Sequence, residues 1–369
     1  MGERKVRISF VFSMVGAMIA YYIGAATGTG QEFFQVYSAH GVMGILGTVL
    51  QHVALALLGL VVILTCQKKS LNSAKDCFIY FLGKPVGMVI YYYTVAYVFC
   101  TLVQLISGTG SLVQQYYGIP YYVGSIVLAV LLVLSVIFGF KAVIAIISKI
   151  APIIIVVMAI VCAIGLIAPT DGLAVGSEIA RSSSEIMRTS SSWLGSTILH
   201  HTYLILFLVP YYQSCYTLDP KATKQETILW IVIAYTLLAI LVILMVASHI
   251  ANISIVIGTA APNLAIAMKH APMLATLLVV MIVAASFTTT APIALIAAEY
   301  FAKPGTQRFK VAGILVVLAG LAVSFLGSYA AIINVLVSVS GRVGIGVYAV
   351  AIIYKIYKCV ADSKADTAQ

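Results

Sequence analysis

An acidic side chain follows a run of glycines inside the first long apolar segment. Glu32 comes two residues after Gly30, and Gly24 and Gly28 lie just before it. Each glycine weakens a helix by about 1 kcal/mol relative to alanine. A loosened backbone is tolerated in a bilayer only where it faces protein or a water-filled cavity, and an ionisable residue there is by default functional. The segment therefore predicts a broken helix beside a solute or ion site.

Two chemical roles fit Glu32 in such a site. Its carboxylate could engage a cationic part of a substrate, or it could carry a coupling proton. The structural alternative is that Glu32 caps the loosened helix by accepting backbone N–H bonds. Carboxyl groups buried in membrane spans usually face a pathway, which favours the functional roles.

A group of hydroxyl side chains in the eighth apolar segment could hold a cation. Ser286, Thr289 and Thr290 have the spacing i, i+3, i+4 and share one helical face. Together with carbonyls freed at Gly24 and Thr27, they could form an oxygen cage for sodium. The alternative is that these hydroxyls bond back to the carbonyl four residues earlier or link neighbouring helices.

Tyrosines are abundant, and four of them, Tyr91, Tyr92, Tyr93 and Tyr97, fall in the third apolar segment. Tyr92, Tyr93 and Tyr97 could line a substrate site or could simply pack against neighbouring helices. Aromatic faces attract an ammonium group through cation–π contact. The sequence therefore predicts these three as candidate substrate contacts.

The composition determines the class of protein that must position these residues. The chain has 369 residues, of which 62% are hydrophobic and only 9% charged, and its mean hydropathy is +1.09. Soluble domains are about one quarter charged, so this is the composition of an integral membrane protein. The net charge of +10 does not indicate nucleic-acid binding, because the basic residues cluster in short connections between apolar runs.

Ten membrane spans are predicted, because a spanning helix needs about 20 mainly apolar residues. Basic residues concentrate on one side of these spans, which by the positive-inside rule puts both termini in the cytoplasm of an inner (plasma) membrane protein. The predicted partners are the lipid bilayer and a small-molecule substrate. No other partner is predicted, and the sequence leaves the oligomeric state open. The spans cover residues 8–37, 42–66, 84–115, 120–140, 142–168, 193–217, 227–257, 271–301, 310–329 and 331–355.

The domain organisation follows from the longest outer connection, residues 169–192. It divides the spans into a first five-helix repeat (1–168) and a second (193–357), followed by a cytoplasmic tail (358–369). Five spans per half give the halves opposite orientations, so an all-α fold with a 5+5 inverted repeat is predicted. The sixth span would then be discontinuous like the first, and Pro210 supports a kink there because proline removes a backbone hydrogen bond.

The segment Gly24-Ala25-Ala26-Thr27-Gly28-Thr29-Gly30-Gln31-Glu32 resembles the G-A-G-F-A-S-G-Q-E motif of YkvI-type bacterial membrane proteins. It also shares the G-x-x-x-G-x-G spacing of the unwound first helix in the leucine-transporter fold of the amino acid–polyamine–organocation superfamily. The resemblance implies a bundle of spans one, two, six and seven that rocks against spans three, four, eight and nine. Thr27 and Gly28 depart from the Phe-Ala of the YkvI-type motif.

The resemblance also implies site residues. A sodium site between spans one and eight would fall on Gly24, Thr27, Ser286, Thr289 and Thr290. The substrate would lie against the broken first helix, a tyrosine of the third span and the sixth-span residues near His200. The resulting candidate substrate-binding set is Ala26, Gly28, Gly30, Glu32, Tyr92, Tyr93, Tyr97, His200, His201 and Tyr203.

These patterns predict a cation-coupled secondary transporter of a small polar solute, an amino acid or related amine, that works by alternating access. Sodium is the favoured coupling ion, and a proton carried by Glu32 is the alternative. No cofactor is expected. An enzyme is disfavoured because the spans contain neither an acidic pair nor a His-Glu-x-x-His motif, and a channel because no repeated pore motif is present. ATP-driven transport is disfavoured because no G-x-x-x-x-G-K-[ST] loop occurs.

Overall fold

The fold is known from a computed structural model that describes residues 5–23, 25–138, 151–303 and 305–366. Every regular element in these ranges is helical. In chain order the α-helices are α1 (Ile8–Tyr22), α2 (Ala25–Thr29), α3 (Gln31–Val36), α4 (Val42–Lys69), α5 (Ala74–Leu82), α6 (Lys84–Tyr117), α7 (Tyr121–Phe138), α8 (Ala151–Ile167), α9 (Leu173–Ser182), α10 (Trp193–Leu218), α11 (Lys224–Ala251), α12 (Ile253–Val256), α13 (Pro262–His270), α14 (Pro272–Glu299), α15 (Gln307–Ser324) and α16 (Tyr329–Asp366).

Seven of these helices are long and apolar enough to cross a membrane: α4, α6, α10, α11, α14, α15 and α16. The shorter apolar helices α1, α7 and α8 coincide with the other three predicted spans. Large apolar side chains are exposed along the outward faces of the helices. The chain is therefore a multi-pass membrane protein. The 5+5 inverted repeat stays a prediction, and the beginning of the fifth predicted span lies outside the described residues.

The predicted break in the first span is confirmed. Helix α1 ends at Tyr22, which is the first interruption. The short helix α2 follows over Ala25–Thr29, and a second interruption at Gly30 separates it from α3. Gly30 has φ +81°, in the left-handed region that side chains with a Cβ rarely adopt. A Cβ at this position would also lie 2.8 Å from the Cε1 atom of His249. Glycine is therefore required at Gly30 by both its backbone conformation and its surroundings.

The predicted break in the sixth span is wrong. Helix α10 runs without interruption from Trp193 to Leu218 and contains Pro210 inside it. A proline inside a helix destabilises the helix by about 3 kcal/mol. However, no glycine lies beside Pro210, and α10 packs closely on α16. A Cβ at Gly344 would lie 2.0 Å from the carbonyl oxygen of Thr202, so the two helix backbones nearly touch. Such close packing of small residues stabilises α10 as one helix.

Helix α13 holds the second interruption of the first span in place. The Asn263 side chain donates hydrogen bonds from Nδ2 to the carbonyl oxygens of Thr27 (3.3 Å) and Gly28 (3.0 Å). Its Oδ1 pairs with Nε2 of His249 at 2.8 Å, and Nδ1 of His249 lies 3.2 Å from Oγ of Ser38. The orphan carbonyls at the end of α2 are thus satisfied by a side chain rather than by water.

An ion-pair cluster ties the start of α1 to the start of α11, at the end predicted to face the cytoplasm. The Arg7 guanidinium binds both carboxylate oxygens of Glu226, with Nε–Oε1 2.8 Å and Nη2–Oε2 2.9 Å, and Nη1 lies 2.6 Å from Oδ2 of Asp219. Hydrogen bonds to Glu226 and then Asp219 raise the pKa of Arg7 above its usual value, so its charge is permanent. The bidentate geometry fixes the direction of α1.

We expect Gly30→Ala to destabilise the protein by at least about 2 kcal/mol, because a left-handed backbone alone costs a side-chain-bearing residue about 1–2 kcal/mol and the new methyl group meets His249. The matched control is Gly16→Ala, which has no neighbour within 4 Å inside α1 and should be neutral or slightly stabilising. Unfolding of both variants in detergent micelles measures the difference. Equal stabilities would contradict the structure at Gly30.

Arg7→Gln should lower the melting temperature in detergent more than Arg308→Gln does. The first substitution leaves the buried Glu226 carboxylate without its cation, which is unfavourable. The second removes the same charge from an exposed position at the start of α15 that has no ion pair in the described ranges. Equal shifts for the two variants would show that the cluster contributes only through net charge.

Candidate functional site

The carboxylate of Glu32 is buried at the first turn of α3 and is bound by two other helices. Oε1 lies 2.8 Å from Nε2 of His200 on α10, and Oε2 accepts a hydrogen bond from Nε2 of Gln104 on α6 at 3.1 Å. Only 5% of the Glu32 surface is exposed. Burial of a carboxylate is unfavourable unless it is paired and hydrogen-bonded, and these two contacts meet that requirement while joining three helices.

His200 extends the hydrogen-bonded chain toward the outer end of the first span. Its Nδ1 lies 2.9 Å from the hydroxyl oxygen of Tyr37, which follows α3 directly. The imidazole is enclosed by aromatic rings, edge-on to Phe33 and stacked on Tyr203. The result is a continuous series of groups, carboxylate–imidazole–phenol, each of which can give or accept a proton.

A cavity of about 70 Å³ lies directly beside the Glu32 carboxylate. It is bounded by α1, α2, α3, α6, α10 and α14, so it lies at the break in the first span. Its walls combine aromatic rings with a few polar groups. The lining residues are Tyr21, Tyr22, Thr27, Glu32, Phe33, Tyr97, Thr101, Gln104, Leu105, His200, Tyr203, Leu204, Phe207 and Thr289.

Helix α6 presents one face to this cavity. Tyr97, Thr101 and Gln104 have the spacing i, i+4, i+7, which places them above one another on the same side. The Thr101 hydroxyl donates to the carbonyl of Tyr97 at 3.0 Å, so it is satisfied within the helix. Tyr22, on the α1 side of the cavity, has a buried hydroxyl with no hydrogen-bond partner among the residues that the structure describes. An unpaired phenol in the wall leaves one group free to bind a solute.

The structure brings several of the predicted residues to the cavity. Glu32, Tyr97, His200 and Tyr203 line it together, as do Thr27 and Thr289 from the predicted sodium site. Gly28 and Gly30 lie in the broken segment but do not face the cavity directly. Gly28 packs on Ile282 of α14, where a Cβ would lie 3.0 Å from that side chain. Gly24 and the Ala26 side chain lie outside the described residues.

Three residues of the predicted substrate-binding set do not line the cavity. Tyr92 is 58% exposed and lines a separate surface groove with Phe301. The Tyr93 hydroxyl is 3.1 Å from Oγ of Ser340 on α16, and Nε2 of His201 is 2.7 Å from the hydroxyl of Tyr348. Tyr92 and His201 project roughly 100–140° around their helices from Tyr97 and His200, whereas Tyr93 lies one turn before Tyr97 on the same side of α6 and contacts α16 instead.

The predicted sodium ligands within the described residues, Thr27, Ser286, Thr289 and Thr290, lie where helices α2 and α14 meet. Ser286 and Thr290 donate their hydroxyl hydrogens to the carbonyls four residues earlier, those of Ile282 and Ser286. Thr27 donates to the carbonyl of Tyr22 at 3.1 Å. These bonds are the structural alternative foreseen for hydroxyls in membrane helices. They leave the oxygen lone pairs available, so the sodium site stays a prediction.

Sequence reasoning missed three residues of this region: Gln104, Tyr37 and Asn263. Gln104 had a detectable signal, because an amide seven residues after Tyr97 in an apolar helix falls on the same face. Asn263 also stood in a segment too short to span the membrane and too apolar for an ordinary loop. Tyr37 had no comparable signal, since its contact with His200 joins residues 163 positions apart.

No family model matches the chain, and no curated protein matches it. Among solved structures, it is similar to crystal structures of two mutants of the Eremococcus coleocola manganese transporter, with 16% identity in each case and TM-scores of 0.49 and 0.48. Each match covers 90% of this chain and 75% of the other. A likeness of this degree establishes neither the family nor the cargo of the chain. The resemblance to YkvI-type proteins accordingly stays a prediction.

The types of side chain at the cavity determine whether it could bind a transition metal. Within the described ranges, no group of three or more His, Cys, Asp and Glu side chains is placed to hold a metal ion. Among the described residues at the cavity, the groups that could coordinate a metal are one carboxylate, one imidazole and one amide, with phenols and hydroxyls around them. Such a set suits protons and hydrogen-bonding solutes.

Gln104→Leu should destabilise the protein by about 1–3 kcal/mol, because it leaves one buried oxygen of Glu32 without a hydrogen-bond donor. The matched control is Gln114→Leu on the same helix, whose exposed side chain should tolerate the change within about 0.5 kcal/mol. Unfolding in detergent micelles measures both. Equal effects would show that the Gln104–Glu32 bond contributes little to stability.

Proposed function

We propose that this protein is a secondary transporter, not an enzyme, and that it moves a small polar solute bearing an ammonium group, an amino acid or related amine, by alternating access. The observation that carries the proposal is the buried Glu32 carboxylate, held by His200 and Gln104 at the edge of a cavity beside a broken membrane helix. Broken helices at the bilayer midplane are where secondary transporters bind their cargo.

The wall of the cavity suits a solute with a positive group. Glu32 supplies a carboxylate, and the rings of Tyr97, Tyr203 and Phe207 supply π-faces. Cation–π attraction grows when the ring and cation are both removed from water, as they are here. The Tyr22 hydroxyl, which has no partner within the described part of the chain, adds one hydrogen-bonding group to the wall.

We infer that the coupling cation is a proton held by the Glu32–His200 pair, the alternative that the sequence left open. Carboxyl and imidazole groups both exchange protons, and here they share one short contact of 2.8 Å. Tyr37 continues the chain from His200 by a second contact of 2.9 Å. When the ammonium group of a solute approaches Glu32, it competes with the His200 imidazole for the same carboxylate, which would link solute binding to release of the proton held by the pair.

Sodium is a second candidate for the coupling ion, favoured by one observation. Thr27 on α2 and Thr289 on α14 line the same cavity from different helices. Their oxygens, with carbonyls of the broken segment, are the type of ligand that a hard monovalent cation takes. Proton coupling and sodium coupling differ in a measurable way, because only proton coupling requires a titratable side chain.

The test uses purified protein in liposomes that contain a trapped pH-sensitive dye. A panel of amino acids and small amines is first screened for thermal stabilisation, with sodium exchanged for potassium. Each stabilising compound is then added outside the vesicles, and the proton flux is recorded with and without a sodium gradient. Because solute and proton compete for the same carboxylate and so move in opposite directions, solute-driven alkalinisation of the lumen in sodium-free buffer supports proton coupling. Uptake that needs sodium and moves no proton supports the second candidate.

Glu32→Gln should reduce solute-driven proton flux at least about tenfold, because the amide cannot carry a proton or pair with an ammonium group. The matched control is Glu178→Gln, which removes an exposed acid on α9 and should leave the flux unchanged. Both variants are compared at equal amounts of folded protein in the liposomes. Full flux with Glu32→Gln would remove Glu32 from both proposed roles.

A further inference from the structure

A second site lies on the opposite side of α10 from Glu32, in an apolar groove of about 390 Å³. Helices α4, α5, α10 and α16 form it, and we call it the α16 groove. Its walls are apolar apart from Lys355 at one end and Tyr348, whose hydroxyl contacts His201. Lining residues include Val61 of α4, Phe78 and Phe81 of α5, Val209 of α10, and Ile352 and Ile356 of α16.

The α16 groove opens toward the lipid rather than toward the interior of the protein. Val61, Ile352 and Ile356 are each more than half exposed, at 54%, 58% and 59%. Along α16 the groove runs from Val347 to Ile356, a length of about 14 Å at 1.5 Å per residue. One leaflet of the hydrocarbon core is about 15 Å thick. The groove is therefore as long as the apolar part of a single leaflet.

The end of the groove carries fixed positive charge. The Lys355 ammonium lies 3.3 Å from the centroid of the Tyr80 ring and 5.2 Å from that of Phe81, so α5 holds it in place. Lys358 lies 5.4 Å from the Tyr354 ring, and Tyr354 in turn contacts Gly83, the residue before Lys84. None of these three lysines forms an ion pair with a side chain in the described ranges.

A groove with these properties matches one kind of molecule. Its length and apolar walls fit an acyl chain, its open side faces the bilayer, and its charged end requires an anion. We propose that the α16 groove binds an anionic phospholipid, with an acyl chain between α5 and α16 and its phosphate at Lys355. Basic pockets between membrane helices on the cytoplasmic side recognise such head groups.

A bound lipid would join α5, which packs mainly on α6, to α10 and to α4 and α16, which already pack on α10. Helix α5 is a short element between two spans, and it contributes Phe78 and Phe81 to the groove. Helix α10 contributes Ile205 and Val209, five and nine residues after His200. The lipid would thus hold the end of α10 beyond the Glu32 site against α4 and α16.

Native mass spectrometry of the full chain, released from nanodiscs of phosphatidylcholine and phosphatidylglycerol, tests this proposal. We expect preferential retention of phosphatidylglycerol. Lys355→Gln should weaken that preference about fivefold, since one lysine near a membrane surface contributes about 1 kcal/mol toward an anionic lipid. The matched control is Lys303→Gln, an exposed lysine away from the groove, which should leave the preference unchanged.

A second variant tests the acyl-chain part independently. Ala351→Phe places a ring in the groove without changing any charge, and it should reduce the retention of phosphatidylglycerol while the protein stays folded by circular dichroism. Equal losses for Lys355→Gln and Lys303→Gln would overturn the proposal, as would full retention with Ala351→Phe. Stabilisation by inorganic phosphate equal to that by the lipid would also overturn it, because the groove would then have no part in binding.

Discussion

The hydrogen bonds that surround one buried carboxylate determine the arrangement of the middle of this protein. Glu32 extends from a helix fragment of six residues, α3, which is too short to be stable alone. Its two oxygens are bound by His200 of α10 and Gln104 of α6. Because a buried carboxylate without partners is strongly unfavourable, α6 and α10 must both remain next to the break to satisfy the two oxygens of Glu32. The site and the fold therefore depend on the same contacts.

Close backbone contacts supply the second constraint. Gly44 of α4 lies against the carbonyl of Tyr37, where a Cβ would be 1.9 Å away, and Gly341 of α16 lies against the carbonyl of Leu199. These glycines allow neighbouring helices to approach α3 and α10 on the sides away from the cavity. In lipid, where helix association has no hydrophobic driving force, such packing must position the helices. The polar contacts then operate between elements that are already close.

Much of this organisation could be predicted from the sequence because long apolar runs and glycine clusters are local signals. The spans, the break at Gly30 and the importance of Glu32 all follow from residues within a short window. Which side of a helix faces the cavity is not local: Tyr97 reaches it and Tyr92 does not, although both are tyrosines of one helix. The continuity of α10 through Pro210 depends on packing against α16 that no pattern within α10 reveals.

An unbroken α10 has a mechanical consequence. The helix is about 39 Å long at 1.5 Å per residue, and His200 and His201 project from it in different directions, one toward Glu32 and the other toward Tyr348. Because the helix is continuous between the two residues, a small twist about its axis would displace both imidazoles at once. Release of Glu32 on one side would then disturb the contact with α16 on the other. The adjacent histidines would thus couple the contact with Glu32 inside the bundle to the contact with Tyr348 on α16.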